Sequence, residues 1–155
     1  MGTCCSSSPR HPENASKLKS HTNCSTCNTK ALLYIDDERD NLELFKGVLA
    51  FKWKAKGWGR PPLLVTMTNP AGAIRYLEAH PLRFPMIICD YSMPELNGIE
   101  TCRALASINP DIFLCILSAY TSPSQRSKEK NLTFYSKPDD MEPLYQKIHQ
   151  LLSST

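Results

Sequence analysis

Two short apolar runs of this sequence end in aspartate residues. Asp36 and Asp37 follow the run 31–35, and Asp90 follows the run 86–89. Carboxylate oxygens are the ligands that Mg²⁺ prefers, and an aspartate beside such a metal can act as a nucleophile toward phosphorus. The acidic residues therefore indicate phosphoryl chemistry that uses a divalent metal ion.

Two further apolar runs are followed by a hydroxyl group and an ammonium group. Ser118 follows the run 112–117, and Lys137 comes shortly after the run 132–135. If all four runs are parallel strands, their carboxyl ends lie along one edge of the sheet, where ligands bind in open α/β folds. We therefore expect the three carboxylates, the hydroxyl and the ammonium to converge, with a metal offsetting the charge of an anionic phosphodonor.

Strand-length apolar runs alternate with helical patterns from residue 30 onward. This order predicts five βα units and an α/β fold whose parallel sheet is buried on both faces. Residues 63–67 form the second expected strand. Helices are expected at about 39–52, 70–79, 99–109 and 139–152, and the polar, weakly periodic segment 121–130 stands where a short helix should precede the last strand.

The composition predicts one folded domain behind a flexible tail. The chain has 155 residues, which suits a single compact unit. Residues 1–29 are rich in Ser, Thr, Asn, Cys and Pro without a hydrophobic period, so we expect a flexible Ser/Cys-rich tail followed by a domain at 30–155. The sequence has no membrane-length apolar stretch and no secretory signal, and its seven cysteines are an odd number. We therefore expect a cytoplasmic protein in a reducing compartment.

Residues 30–152 resemble a response-regulator receiver domain of the CheY-like kind. Five motifs agree with the family in identity and order: the acidic pair Asp36–Asp37, the phosphoacceptor Asp90, the Ser118–Ala119 step, the aromatic Phe134 and the Lys137–Pro138 step. The stretch from Asp90 to Gly98 also repeats the family's D-x-x-M-P-x-x-x-G pattern. The resemblance implies a doubly wound five-stranded parallel sheet of order 2-1-3-4-5, flavodoxin/CheY-like.

The resemblance also implies a role for each matching residue. Asp37 and Asp90 would bind Mg²⁺ directly together with the backbone carbonyl of Ser92, while Asp36 would act mainly through water. Lys137 would neutralise the phosphoryl oxygens. Ser118 would donate its hydroxyl to the phosphoryl group after transfer, and Phe134 would rotate into the space that is vacated. Such a change is a two-state switch biased by local charge.

The function implied by the resemblance is that of a stand-alone receiver. It would accept a phosphoryl group from a sensor histidine kinase or a phosphotransfer protein onto Asp90, and it would signal to a separate protein partner without binding DNA itself. Phosphotransfer and dephosphorylation would be self-catalysed, so we do not expect a turnover enzyme. One alternative is a receiver-like adaptor that works without phosphorylation.

Two other classes fit the sequence less well. An aspartyl-nucleophile phosphatase also places an aspartate beside Mg²⁺, but it typically carries a second acid two residues later, where this chain has Ser92. Without that acid, turnover by acid/base catalysis is disfavoured. Flavodoxin-like cofactor binding needs a loop after the first strand that cradles a phosphate group. This sequence has acidic residues there instead, and they would repel a phosphate group.

A basic and aromatic segment separates the first helix from the second strand. The predicted loop, 51–62, is longer than most αβ loops and holds Lys52, Trp53, Lys54, Lys56, Trp58 and Arg60. Such a loop can bind an acidic protein, an anionic membrane or nucleic acid. The alternative is that the lysine stems cover partly buried rings and the segment binds nothing.

The tail carries two short patterns. Gly2 and Ser6 fit the M-G-x-x-x-[ST] pattern for myristoylation, and Cys4 and Cys5 stand where palmitoylation would add a second anchor. Membrane association is therefore expected only if the tail is lipidated. Residues 24–27 form a lone C-x-x-C, which is either half of a zinc site or a free dithiol.

Overall fold

The computed structural model describes residues 30–81, 83–119 and 132–153. Strands and helices alternate along most of this part of the chain, as the sequence predicts. In chain order the elements are β1 (Ala31–Ile35), α1 (Arg39–Ala55), β2 (Leu63–Met67), α2 (Pro70–Ala79), β3 (Met86–Asp90), α3 (Gly98–Ile108), β4 (Phe113–Ser118), β5 (Thr133–Ser136) and α4 (Met141–Ser153). The predicted tail at 1–29 and the predicted short helix at 121–130 lie outside the described residues.

The five strands form one parallel sheet in the order β2-β1-β3-β4-β5, which confirms the predicted topology. The register aligns the carboxyl ends of neighbouring strands. Ile35 lies opposite Cys89, and Asp90 lies opposite Leu117. The residues that follow β1, β3 and β4 therefore meet at one edge of the sheet.

Both faces of the sheet are covered by apolar side chains. In β1, Leu33 and Ile35 face the layer formed with α2 and α3, whereas Leu32 and Tyr34 face the layer formed with α1 and α4. Every residue of β1 is buried. A strand that is buried on both faces reads as a continuous apolar run, which is why the central strands could be found from the sequence.

Helix α1 is three residues longer than predicted. It ends at Ala55, so the expectation that 51–55 belong to a loop is wrong. The N–H of Gly57 donates to the Lys54 carbonyl at 3.1 Å, and the N–H of Trp58 donates to the Trp53 carbonyl at 3.1 Å. These two bonds form a Schellman motif, and Gly57 supplies the left-handed conformation, with φ of 65°, that the motif needs.

The other element boundaries lie within one or two residues of the predictions. Strand β4 starts at Phe113 rather than at Ile112, because the N–H of Phe113 makes a 3.0 Å bond to the Pro85 carbonyl while that of Ile112 turns back to Asn109. Helix α2 begins as expected, with the Asn69 side chain accepting from the Gly72 N–H at 2.7 Å. Among the described helices, none combines the length and apolar composition that crossing a bilayer requires.

Candidate functional site

Lys137 connects two of the predicted acidic residues at the edge of the sheet. Its ammonium nitrogen lies 3.1 Å from Asp90 Oδ1 and 3.5 Å from Asp36 Oδ2. Asp36 directly follows β1, Asp90 ends β3, and Lys137 directly follows β5. Strands of distant sequence position thus bring these three side chains together, as the spacing of the apolar runs predicts.

Asp90 is held at the end of β3 by its own loop. The backbone N–H of Ser92 donates to Asp90 Oδ2 at 2.9 Å, and only 14% of the Asp90 side chain is exposed. Below it, the N–H of Gly98 donates to the Tyr91 carbonyl at 2.9 Å and starts helix α3. A Cβ atom at Gly98 would overlap the carbonyl oxygen of Asp90, so the close approach of helix and strand requires glycine.

The backbone of Lys137 is anchored to the end of β4. Its N–H donates to the Ser118 carbonyl at 2.9 Å, and the Lys137–Pro138 peptide bond is cis. Ser118 is buried and pairs across the strands with Ser136. Ser118 and Lys137 therefore belong to one hydrogen-bonded unit at the same edge of the sheet as Asp90.

Burial dominates the electrostatics of the acidic site. Desolvation raises the pKa of Asp90 above its ordinary value of 3.8; the Lys137 ammonium opposes this shift, and the Asp36 carboxylate adds to it. Burial and the hydrogen bond to Asp36 raise the pKa of the Tyr34 phenol well above its usual range, so the phenol remains a donor. The site combines several acids with one cation and therefore favours an additional positive charge.

The donor atoms of the site suit a hard divalent cation. Asp37 is half-buried beside Asp36, and Asp90 and the Ser92 backbone lie at the neighbouring strand end. Within 30–81, 83–119 and 132–153, however, no three acidic, histidine or cysteine side chains are grouped as a metal cage. The carboxylate and carbonyl oxygens at these strand ends are ligands that fit Mg²⁺, which keeps several waters and binds through one or two carboxylates.

Asp36 is more constrained than the sequence suggests. Its Oδ2 accepts from the Tyr34 hydroxyl at 2.7 Å, and its Oδ1 accepts from the Glu38 N–H at 3.0 Å and from the Asn41 amide at 3.2 Å. Sequence reasoning missed Tyr34 and Asn41. The available signal was the spacing of Tyr34, two residues before Asp36, because alternate residues of a strand share a face.

The predicted switch residue Phe134 lies in β5. It is half-buried and packs against the apolar layer beside α2 and α3. Its rotation and the role of the Ser118 hydroxyl stay predictions.

The basic and aromatic segment is largely engaged within the domain. Trp53 is 2% exposed, so the prediction that it contacts a partner is wrong: it continues the buried stripe of α1 after Leu49. Trp58 packs edge-on against Trp53 at 5.0 Å and stacks on His149 of α4 at 4.3 Å between ring centroids. The alternative expectation, that lysine stems cover partly buried rings, agrees with the half-buried position of Trp58, whereas Trp53 is buried more deeply than expected.

The lysines of this segment differ among themselves. Lys52 and Lys56 reach Glu142 of α4 at 3.3 Å and 2.7 Å. Lys54 and Arg60 are exposed, and a binding role for them stays a prediction. The tail residues Gly2, Cys4 and Cys5, and the C-x-x-C at 24–27, lie outside the described residues.

Comparison with known proteins identifies a family. A family model described as the response regulator receiver domain matches residues 32–149. The transcriptional regulatory protein ZraR of Klebsiella oxytoca is 27% identical over 128 residues, which cover 80% of this chain and 26% of ZraR. The chain thus spans about a quarter of the length of this curated relative.

Solved structures share the fold. The chemotaxis protein CheY4 of Vibrio cholerae superposes with a TM-score of 0.62 at 20% identity, covering 79% of this chain and 98% of CheY4. A Borrelia burgdorferi structure that contains CheX, CheY, BeF₃ and Mg²⁺ gives a TM-score of 0.62 at 17% identity, covering 78% and 87% of the two chains. At these identities the likeness supports the CheY-like fold.

Proposed function

The chain belongs to the response regulator receiver domain family, and we propose that it accepts a phosphoryl group on Asp90. The observation that carries this proposal is the position of Lys137, whose ammonium lies 3.1 Å from Asp90 and 3.5 Å from Asp36. An aspartate that is partly desolvated and paired with a cation is poised to act as a nucleophile. Asp90 is such an aspartate.

In the proposed reaction an oxygen of Asp90 forms a bond to phosphorus while the bond from phosphorus to the donor group breaks. The donor group leaves with the electron pair of the broken bond. Before transfer, Lys137 neutralises the charge of the Asp90 carboxylate. After transfer, Lys137 binds the oxygens of the new phosphoryl group instead. Asp37, Asp90 and the backbone carbonyl of Ser92 would hold a Mg²⁺ ion, which supplies positive charge against the anionic donor.

The proposed switch begins at Ser118. Its carbonyl accepts a hydrogen bond from the backbone N–H of Lys137 at 2.9 Å. A movement of Ser118 toward the phosphoryl group would therefore shift both β4 and the loop after β5. The Ser118 hydroxyl would bind the phosphoryl group, and Phe134 on β5 would follow. New phosphoryl oxygens supply the contacts that distinguish the two states.

A groove beside the acidic site supports a protein as phosphodonor. It has a volume of about 470 Å³, lies between α1 and α4, and is lined by Lys137 together with the apolar side chains of Leu44, Val48 and Met141. Leu44 is 67% exposed, and Phe51, two turns further along α1, is 69% exposed. A helix of a histidine kinase or phosphotransfer protein can place its apolar face on such a surface.

We further propose that this receiver is a phosphoacceptor and not a turnover enzyme. Ser92 contributes its backbone N–H to Asp90, and its side chain brings no second carboxyl group to the position where a phosphatase would use one. Signalling to a separate protein, without contact to DNA, completes the proposal for this domain.

The test is phosphorylation by a small-molecule donor. Wild-type protein incubated with Mg²⁺ and acetyl phosphate should gain the mass of one phosphoryl group, stable in acid and labile in base. Asp90→Asn should gain none. Asp111→Asn is the matched control, because Asp111 is an exposed aspartate before β4, and it should gain the group as the wild type does.

Two results would contradict the proposal. A gain that persists in Asp90→Asn would place the acceptor elsewhere. No gain in the wild type with any donor, combined with unchanged partner binding in Asp90→Asn, would favour the adaptor that works without phosphorylation.

A further inference from the structure

A buried tyrosine contacts the acidic site from within the sheet. Tyr34 is the penultimate residue of β1, is 1% exposed, and donates its hydroxyl to Asp36 Oδ2 at 2.7 Å. Because Tyr34 and Asp36 are two residues apart on an extended chain, both side chains point to the α1 and α4 side of the sheet.

Neighbouring side chains fix the ring of Tyr34. Its centroid lies 4.8 Å from that of Phe45, with 57° between the ring planes, and Phe45 lies 6.0 Å from Tyr145. The core therefore determines where the hydroxyl sits. A phenylalanine at position 34 would occupy the same space and lose only the oxygen atom.

The Asp36 carboxylate is surrounded by donors. Glu38 and Asn41 hold Oδ1, so the carboxylate cannot turn freely. The other oxygen, Oδ2, faces two donors, the Tyr34 hydroxyl at 2.7 Å and the Lys137 ammonium at 3.5 Å. An oxygen that already accepts a short hydrogen bond has fewer lone pairs and less charge available for a second donor.

The Lys137 ammonium contacts two carboxylates, and its distances to them are unequal. It is closer to Asp90 Oδ1, at 3.1 Å, than to Asp36 Oδ2. We propose that Tyr34 is a positioning residue: its hydroxyl occupies Asp36 Oδ2 and thereby keeps the Lys137 ammonium on Asp90. This inference rests on the proposed role of Asp90 as the phosphoacceptor.

Without the Tyr34 hydroxyl, Asp36 Oδ2 would lose a hydrogen-bond donor and would attract the Lys137 ammonium more strongly. The ammonium would move toward Asp36, and Asp90 would lose the cation that binds the incoming phosphoryl oxygens. Tyr34 thus affects phosphorylation although it touches neither the donor nor the phosphorus atom. The effect passes through Lys137, and this dependence is what separates a positioning role from a general loss of packing.

The test compares rates of phosphorylation by acetyl phosphate at saturating Mg²⁺, followed by intact mass. In this reaction Asp90 forms the new oxygen–phosphorus bond, and acetate leaves. Tyr34→Phe should be roughly tenfold slower than the wild type, the effect of losing one buried hydrogen bond to a charged group. Tyr76→Phe is the matched control, because it also removes a hydroxyl with a 2.7 Å hydrogen bond, from Arg83, but outside the site. Its rate should stay within about twofold of the wild type.

A double-mutant cycle shows whether Tyr34 acts through Lys137. In the Lys137→Ala background, the additional Tyr34→Phe change should leave the rate unchanged, because the ammonium that the hydroxyl positions is absent. An equal loss in both backgrounds, or a wild-type rate in Tyr34→Phe, would overturn the inference. Melting curves confirm that each variant is folded during the assay.

The wild-type reaction separates the two proposals. A wild type that gains no phosphoryl group would overturn the proposed function and this inference with it. A wild type that is phosphorylated, with Tyr34→Phe equally fast, would overturn the inference alone.

Discussion

Two regions of the described part of the chain combine charged and aromatic side chains in different ways, the acidic edge of the sheet and the end of helix α1. At the edge, Asp36 and Asp90 share a single ammonium, and burial opposes the ionisation of Asp90. At the end of α1, one carboxylate, that of Glu142, serves two lysines, and the tryptophans pack on each other. The first region retains unbalanced negative charge on buried and half-buried side chains, whereas the second packs its rings within the protein and leaves its excess positive charge on side chains that water reaches.

The difference shows what separates a reactive site from a structural one. Both regions contain residue types that can bind or react, so composition does not distinguish them. A site that acts on a ligand keeps charge that the folded chain leaves uncompensated, and that charge costs stability. A structural cluster uses the same residue types to satisfy each other.

The largest effect on stability is expected at Trp53. Trp53→Ala should lower the free energy of unfolding by about 3–5 kcal/mol, because it removes a fully buried ring from the layer under α1 and α4. Urea unfolding measures the change. Phosphorylation by acetyl phosphate, corrected for the folded fraction, should stay within about twofold of the wild type.

Trp53→Phe provides the control for this substitution. It keeps an aromatic ring and removes an indole N–H that has no acceptor in the described part of the chain, so its cost should be smaller than that of Trp53→Ala. A Trp53 variant that is folded but slow in phosphorylation would contradict the division between the two regions.

The next largest effect is expected at Gly98, under the acidic edge. In Gly98→Ala the new Cβ would overlap the Asp90 carbonyl oxygen and lie 3.0 Å from the side chain of Ile116. Relief requires the start of α3 or the end of β3 to move, at a cost of about 2–3 kcal/mol in unfolding free energy. The rate of phosphorylation should fall as well, because Asp90 itself is displaced.

Gly47 in helix α1 is the matched control. A Cβ there meets nothing within 4 Å, so Gly47→Ala should raise the unfolding free energy by about 0.5–1 kcal/mol through helix propensity. Equal effects of the two substitutions would mean that the close contact of Gly98 with β3 is not the reason why an alanine is unfavourable at position 98.

The cost of unbalanced charge can be measured at Asp90. Its pKa is higher in the folded protein than its ordinary value of 3.8, mainly through burial, so the folded state binds this proton more tightly than the unfolded state. The stability that goes with the proton is present below the ordinary pKa and is lost as the pH rises through the folded pKa. In metal-free buffer at pH 7, Asp90→Asn should therefore melt about 2–5 °C higher than the wild type.

The comparison has two internal checks. The difference in melting midpoint should shrink as the pH falls through the folded pKa of Asp90 and below its ordinary value of 3.8, because the wild-type carboxyl takes up its proton over this range. Saturating Mg²⁺ should also reduce it, because an ion bound by the wild-type carboxylates stabilises the folded state. A wild type that melts higher than Asp90→Asn in metal-free buffer would mean that Lys137 more than offsets the cost of burial.

The sequence predicts the acidic edge well because the topology of the sheet determines which residues lie there. Parallel strands end at one edge, so residues that follow four apolar runs must meet there, whatever their separation along the chain. This reasoning brought Asp36, Asp90 and Lys137 together correctly. The strand order followed from the resemblance to CheY-like receivers and not from the apolar runs.

Contacts between side chains of different elements were harder to predict. The predicted loop 51–62 includes Trp53, although Trp53 lies four residues after Leu49 in the apolar stripe of α1. The sequence W-K-A-K-G-W contains the signal for its position, since a glycine at the end of a helix brings the flanking tryptophans together in a Schellman motif. The hydrogen bond from Tyr34 to Asp36 depends on how deep the ring lies in the core. The alternation of apolar residues along a strand predicts which face a side chain is on, but it does not predict that depth.

The smallest effect is expected at Glu142, which joins α4 to Lys52 and Lys56 of α1. Lys56, and then Lys52, hold the pKa of the Glu142 carboxyl below its ordinary value, so the pairs contribute stability above that value and lose it as the pH falls through the folded pKa. All three side chains are more than a third exposed, and water and salt screen them. Glu142→Gln should lower the melting midpoint by at most about 2 °C in low salt and by less in high salt.

Glu43→Gln is the control for this pair of contacts, because the ion pair of Glu43, 3.9 Å from Lys46, lies within α1. If Glu142→Gln costs no more than Glu43→Gln, the ion pairs of Lys52 and Lys56 with Glu142 add little to the docking of α4. The stability of that contact would then come from Trp53, Trp58 and His149, whose rings pack together there. A loss at Glu142 that is large and insensitive to salt would instead make the ion pairs the main link between the helices.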